Sequence, residues 1–225
     1  MILAIVQARM GSSRLPGKIL YKYKKKTFLE ILIDRLKKSK TLDKIVVATS
    51  YYKNHDVICE LCKKKKINFF RGSEHDVLSR YYNCAKKYNA TLVVRITADC
   101  PLVDPYQIDK MINIINDKKL DFVSNTVPPK SSRWPDGSDI EIFNFKSLKK
   151  ANDNENSSHN REHVTFHFWK DKLSSSKFKS YQLKKKYNTS ELRYVLDYHE
   201  DFLVLKKIME YLEKNKLFGT YQQVI

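Results

Sequence analysis

Between Gln7 and Lys18 the chain reads Gln7-Ala8-Arg9-Met10-Gly11-Ser12-Ser13-Arg14-Leu15-Pro16-Gly17-Lys18. Two glycines let a backbone turn tightly and present its N–H groups, and the cations Arg9, Arg14 and Lys18 neutralise what those groups cradle. The guest suited to such a loop is a polyphosphate. It is not a nucleotide loop of the Walker type: five residues separate Gly11 from Gly17 where that motif has four, and Ile19 stands where it needs Ser or Thr for Mg²⁺. The plain alternative is a basic surface turn. Asp99 is the second residue of interest. It follows an apolar run, is held by the rigid Cys100-Pro101, and suits a hard divalent cation; its competing use is as a helix N-cap.

Other reactive side chains lead to less. Cys59 and Cys62 form a CxxC with no second pair, and apolar positions at 57, 58, 61 and 62 follow helical spacing. Buried helix thiols of this kind behave as small apolar groups. His163 and His167 lie four apart without the glutamate of a zinc-binding H-E-x-x-H. No Ser–His–Asp or Cys–His order supplies a covalent nucleophile.

These residues need a scaffold, and the apolar pattern predicts one. Strands over Ile2–Gln7, Lys44–Thr49, Asn68–Arg71 and Thr91–Thr97 alternate with helices over Phe28–Lys38, Asp56–Lys65 and Asp76–Lys87. That order means βαβ units around a mostly parallel sheet flanked by helices, an α/β fold with one Rossmann-like domain over residues 1–225. A helix over Pro105–Asn116 follows, with Pro105 in its first turn. Asp121–Phe143 breaks the rhythm with short strand-like pieces around Pro128, Pro129 and Pro135, and Asn152–Ser158 reads as a polar connection. Helices are predicted near Arg161–Lys170 and His199–Lys214, and strands near Phe178–Leu183 and Leu192–Leu196. Ligands of open parallel sheets bind at the carboxyl ends of the strands, so Gln7–Arg9, Ala48–Ser50 and Thr97–Asp99 are expected to meet in one crevice.

Composition sets the remaining limits. With 225 residues, 42% hydrophobic and 30% charged, the chain can bury one sizeable core. No apolar run is long enough to span a membrane, and Met1 leads directly into a strand, so the expected location is cytoplasmic with no membrane partner. Lys and Arg number 43 against 25 Asp and Glu, a net charge of +18. Most of the surplus is lysine in short runs such as Lys24–Lys26, Lys63–Lys66 and Lys184–Lys186. Without interleaved aromatics or a recognition motif this reads as a solvated surface rather than a nucleic-acid site. The field still draws polyphosphate towards the loop.

The Gln7–Lys18 segment resembles the nucleotide-binding signature of sugar nucleotidyltransferases. It is most similar to cytidylyltransferases of the spore-coat polysaccharide biosynthesis type, relatives of CMP-Kdo and CMP-acylneuraminate synthetases. Further blocks follow in the family's order: Val46–Ser50, Arg71–Tyr81, Arg95–Pro105, Trp134–Glu141, Arg161–Thr165 and Arg193–Asp197. The resemblance implies a GT-A-like nucleotidyltransferase fold that transfers CMP from CTP to a sugar acid, sugar phosphate or related small acceptor, with release of pyrophosphate. It places Arg14 and Lys18 on phosphate oxygens. Gln7, Ala8, Arg9, Gly11, Ser12, Ser13 and Asp99 join them around the nucleotide, with Thr49, Gly72, Ser73 and Asp76 near the cytosine and ribose. Asp76 and Arg80 are equally suited to locking their own turn.

Asp99 and Asp197 are the implied Mg²⁺ ligands. Asp197 sits in Tyr194-Val195-Leu196-Asp197, where Val195-Leu196 and Tyr198-His199 depart from the family's Thr-Val and Thr-Pro, and it too precedes a helix that it could cap. Asp136, Asp139, Glu141, Arg161 and His163 are the implied acceptor residues, Arg161–Glu162 being also readable as a helix salt bridge. Relatives commonly dimerise through an insert near the acceptor site, which places a homodimer contact and the acceptor site within residues 121–170. Pro128–Trp134 and Phe166–Trp169 are its candidate exposed aromatics. A GT-A glycosyltransferase would want a DxD motif where Asp99-Cys100-Pro101 carries one Asp. A non-catalytic nucleotide-binding homologue would have little use for Arg14, Lys18 and Asp99 together.

Overall fold

Strand β1 (Ile2–Gln7) sets the core: Leu3 and Ile5 pack on one face and Ala4 and Val6 on the other, all fully buried. A strand covered on both sides reads as a continuous apolar run. The computed structural model describes residues 1–169 and 178–225. After β1 come a small hairpin, β2 (Lys22–Tyr23) and β3 (Lys26–Thr27), then α1 (Phe28–Leu36), β4 (Lys44–Ser50), α2 (Asp56–Lys64), β5 (Asn68–Gly72), α3 (Val77–Lys87), β6 (Leu92–Thr97) and α4 (Pro105–Asp117). The second half contains β7 (Phe122–Ser124), β8 (Glu141–Asn144), α5 (Phe145–Asn154), α6 (Ser158–Glu162), α7 (Phe166–Trp169), β9 (Ser180–Gln182), α8 (His199–Lys214) and α9 (Tyr221–Val224).

The main sheet has the order β5-β4-β1-β6-β8-β7-β9. β5, β4, β1 and β6 are parallel, whereas β8 runs antiparallel to β6 and β7. Helices α1, α2 and α4 cover one face, and α3 and α5 the other. The chain steps from β1 outward to β4 and β5, then returns to β1's other side as β6. This reversal opens a crevice at the carboxyl end of β1, where Gln7 pairs with Ala48 on β4 and Thr97 on β6. Local signals fix the helices around it. Thr27 and Glu30 form a capping box on α1, and Asp104 caps α4 ahead of Pro105.

The mostly parallel α/β architecture matches the expectation; three details differ. Phe145–Asn154 is helical where part of it was read as a connection, because Asn144 caps it and Leu148 and Ala151 pack inward. The helix expected over Arg161–Lys170 is two short pieces, parted by Val164 at φ 49°; Lys170 lies outside the described residues. Leu192–Leu196 forms no strand and pairs only through an isolated Asp136–Arg193 bridge. Residues 121–170 also supply β7 and β8 to the central sheet.

Of the aromatics offered for self-association, two lie in the core, while Phe166 and Trp169 are half-buried. Trp134 and Phe168 are buried, the first donating from Nε1 to the Leu183 carbonyl at 2.9 Å, the second packed among Phe122, Phe143 and Phe178. All four cysteines are free and buried, and burial pushes Cys62 and Cys84 up to about 12. Among the described residues no helix is long and apolar enough to cross a membrane.

Candidate active site

The loop after β1 closes on its own backbone. The Met10 carbonyl accepts the N–H groups of Ser12 (3.0 Å) and Gly17 (3.3 Å), and Ser12 Oγ accepts from Leu15 N–H at 3.2 Å. Gly17 makes the closing bend at φ 68°, a left-handed conformation that costs glycine little. A short 3₁₀ turn, Lys18–Leu20, then carries Lys18 beneath the loop. The result is a cleft of ≈ 330 Å³ lined by Gln7, Arg9, Gly11, Ser12, Ser13, Arg14, Lys18, Thr97, Asp99 and Asp197.

Among the described residues no protein acceptor engages the N–H groups of Gly11, Ser13 or Arg14. Successive free N–H groups of this kind form an anion cradle. Gly11 has ordinary φ, and a Cβ built there would meet nothing within 4 Å. Only a ligand in the cleft would feel it. Gly11→Ala is therefore expected to leave the melting temperature unchanged and to weaken nucleotide binding, checked by calorimetry against Gly137→Ala. Gly137 sits at φ 101° with its would-be Cβ 2.6 Å from the Tyr194 carbonyl carbon, so that variant should lose stability.

Lys18 bridges the two carboxylates. Its Nζ lies 2.7 Å from Asp99 Oδ2 and 2.5 Å from Asp197 Oδ1. Burial disfavours the charged ammonium, but Asp99 and Asp197 outweigh it and hold Lys18 above its ordinary value. Burial likewise opposes ionisation of Asp197, and Lys18, Arg14 and Arg193 together keep it below the usual carboxylate range. Neither aspartate caps a helix. Asp104 caps α4, and Asp201 accepts the N–H groups of Asp197 and Tyr198 at the start of α8. Both side chains turn instead towards one cation in the cleft, an arrangement that fits a divalent ion. Among the described residues no group of three or more His, Cys, Asp or Glu is placed to hold a metal ion. A two-carboxylate donor set matches Mg²⁺, which keeps waters and shares its shell with phosphate oxygens.

Arg14 adds a second cation, 2.9 Å from Asp197 Oδ2, with its guanidinium over the Tyr198 ring at 5.1 Å. Arg193, which opens the Arg193–Asp197 block and was assigned no role from it, ties the late segment to the Asp136 loop. It pairs with Asp136, with Asp201 at 3.0 Å and with Asp197 at 3.4 Å. The only local signal is the four- and eight-residue spacing to Asp197 and Asp201.

Asp136 and Asp139 stand beside this cluster. Withdrawal from water and the Asp139 charge, opposed by Arg193 and reinforced by Asp197 and Asp99, push Asp136 up to about 6. The folded protein thus holds this proton more tightly than the unfolded chain. Its stabilising contribution is present below the ordinary value of 3.8 and is lost as pH rises through about 6. Asp136→Asn is expected to raise the melting temperature above pH 6 and to change little below pH 4, in a thermal series across that window.

The other expected site residues lie outside the lining of this cleft. Ala8 is buried and donates its N–H to Ala48, backing the loop. Thr49, Gly72, Ser73 and Asp76 do not line the cleft. Thr49 is fully buried, Ser73 is bonded by Asp76 N–H and Arg80, and Asp76 caps α3 while accepting from Arg161 at 2.9 Å. Arg161 spends its remaining donors on Asn152 and the Glu155 carbonyl, so it locks α3 to α5 and is not free for an acceptor. Glu141 is buried against Arg95, and it reaches the site only through Arg95, which donates to Gln7 Oε1 at 3.4 Å. His163 is exposed beside His159, away from the cleft lining.

Comparison with known proteins agrees with this architecture. The family model described as "Cytidylyltransferase" matches residues 3–223. An uncharacterised protein of Methanocaldococcus jannaschii is 38% identical over 95% of this chain and 91% of its own length. The spore coat polysaccharide biosynthesis protein SpsF of Bacillus subtilis is 39% identical over 54% of this chain and 52% of its own. A solved cytidylyltransferase from Leptospira borgpetersenii superposes with a TM-score of 0.89 at 32% identity, covering 99% of this chain and 91% of that one.

Proposed function

The chain belongs to the cytidylyltransferase family and is a CTP-dependent nucleotidyltransferase; on that footing we propose that it transfers CMP to a sugar acid, sugar phosphate or related small acceptor, with Mg²⁺ and release of pyrophosphate. The observation that carries the reading is Lys18 held between Asp99 and Asp197 beneath a loop of free N–H groups. It brings a triphosphate cradle and a cation site to the switch point of one sheet.

In this mechanism the N–H groups of Gly11, Ser13 and Arg14 take phosphate oxygens, and Arg14 and Lys18 move onto them from Asp197 and Asp99. An acceptor oxygen then attacks the α-phosphorus in line: the new O–P bond forms, any hydroxyl proton on that oxygen passes to water, the bond to the bridging oxygen breaks, and pyrophosphate carries away the electron pair. Such a reaction needs positioning and neutralisation of developing charge more than a covalent step. When bound between Asp99 and Asp197, the divalent ion would supply further neutralisation of phosphate charge. Cys100, fully buried and with its thiol pushed well up, is no nucleophile.

Asp136 and Asp139 suit the acceptor's hydroxyl groups, with Arg193 setting the first of them. SpsF's role in spore coat polysaccharide biosynthesis, as its name gives it, supports a product destined for a surface glycan. By the same resemblance we propose that residues 1–225 act as one domain, that 121–170 forms its acceptor side, and that the protein is a homodimer. Sedimentation as a monomer at micromolar concentration contradicts the dimer. The transfer itself is tested by CTP-dependent pyrophosphate release across 2-keto sugar acids, sugar phosphates and polyol phosphates. At least one class should raise release well above the acceptor-free rate; no stimulation by any contradicts the proposed acceptors.

A further inference from the structure

His55 ends a single 3₁₀ turn, Lys53–His55, immediately before α2 and is fully buried. Its Nδ1 accepts the main-chain N–H of Met10 at 3.1 Å, a bond that spans 45 residues. Among the described residues no other side chain from outside the 8–17 loop bonds that loop's backbone. With Nδ1 accepting, the imidazole proton belongs on Nε2, which lies 2.9 Å from Glu74 Oε2. Glu74 is itself seated by the ends of the neighbouring elements. Burial opposes its ionisation, but the Ser50 hydroxyl on β4, His55 and Arg80 on α3 hold it below the usual carboxylate range. Close polar contacts therefore run from β4 and α3 through Glu74 and His55 to Met10, the 2.9 Å approach of His55 Nε2 to Glu74 Oε2 lying outside hydrogen-bond alignment.

Met10 is the pivot of the loop, since its carbonyl closes the turn on Ser12 and Gly17. Its N–H points into the protein towards His55, while those of Gly11, Ser13 and Arg14 lack protein acceptors. We infer that His55, oriented by Glu74, is a positioning residue for triphosphate binding: by holding the Met10 N–H it aims the following N–H groups into the cleft. This rests on the reading that the loop takes the phosphates of CTP. His55 touches no reacting atom and acts through the loop alone.

Three variants separate positioning from packing. His55→Leu keeps bulk and removes the acceptor; His55→Asn places an oxygen where Nδ1 stood; Glu74→Gln keeps shape and removes the charge facing Nε2. CTP affinity by calorimetry, melting temperature and Met10 amide exchange are measured for each. His55→Leu should bind CTP about tenfold more weakly, the worth of one well-placed hydrogen bond, and exchange Met10 faster. His55→Asn should recover most of both, and Glu74→Gln should fall between them. If His55→Leu does not fold, His55→Asn and Glu74→Gln carry the comparison with the parent protein. Parent-like CTP binding and Met10 exchange in the variants overturn the inference. So do equal losses in His55→Leu and His55→Asn that track melting temperature. Should the parent protein bind no CTP, the functional reading fails, and Met10 exchange still reports whether His55 anchors the loop.

Discussion

Asp99→Asn is expected to lower turnover by about a hundredfold or more while the melting temperature stays near that of the parent protein. Asn keeps the size of the side chain and can still accept from Lys18, but it removes one of two charges that converge on the cation position. Asp99 neither caps a helix nor lies in the core, so the fold does not depend on its charge. Asp197→Asn should cost similar turnover and more stability, because Asp197 also answers Arg14 and Arg193. Steady-state kinetics with thermal melts on the two variants decide the matter. Full activity in Asp99→Asn would remove the carboxylate from the mechanism.

Lys18→Met should produce an equally large fall in turnover, on the order of hundredfold to thousandfold, with a separate signature in the nucleotide-free protein. In the folded chain the ammonium already neutralises Asp99 and Asp197 and so competes with any divalent ion for them. Removing it leaves two like charges facing one another in a partly buried site, an arrangement that is destabilising until a cation restores balance. The variant should melt at lower temperature than the parent, bind Mn²⁺ more tightly without CTP, and regain melting temperature on adding Mn²⁺. Titration of free Mn²⁺ measures this directly. Unchanged affinity for Mn²⁺ would mean that Lys18 does not stand in the cation's position. Tighter binding would mean that Lys18 and a divalent ion compete for the same two carboxylates.

Much of this site was legible in the sequence because its parts are local. The apolar run of β1 followed by Gly11, Gly17 and three cations gives strand, turn and charge within eighteen residues. Asp99 follows β6 directly, so the switch-point rule brings it to the loop. What was not legible depends on pairings across the chain. Arg193 meets Asp136 across 57 residues, and His55 meets Met10 across 45. Neither pairing leaves a mark in the residues beside it. Arg161 and Asp76 belong to motif-like blocks, yet their side chains satisfy each other and the backbone, since a partly buried guanidinium must place its donors. Glu141 is drawn away in the same manner by Arg95. Among the elements, α5 escaped notice because its polar sequence offers few inward residues, and the helix near Arg161 was read too long because nothing nearby announces the turn at Val164.

Cytidylyl transfer at this cleft is tested most directly by pyrophosphate release from CTP, UTP, ATP and GTP at equal concentration, with Mg²⁺ and an acceptor panel. The expected result is release from CTP at least about tenfold faster than from the other three, as for a site that reads hydrogen-bonding groups of its substrate, and its loss in Asp99→Asn. Equal release from all four nucleotides, or release from CTP that survives Asp99→Asn undiminished, would contradict it.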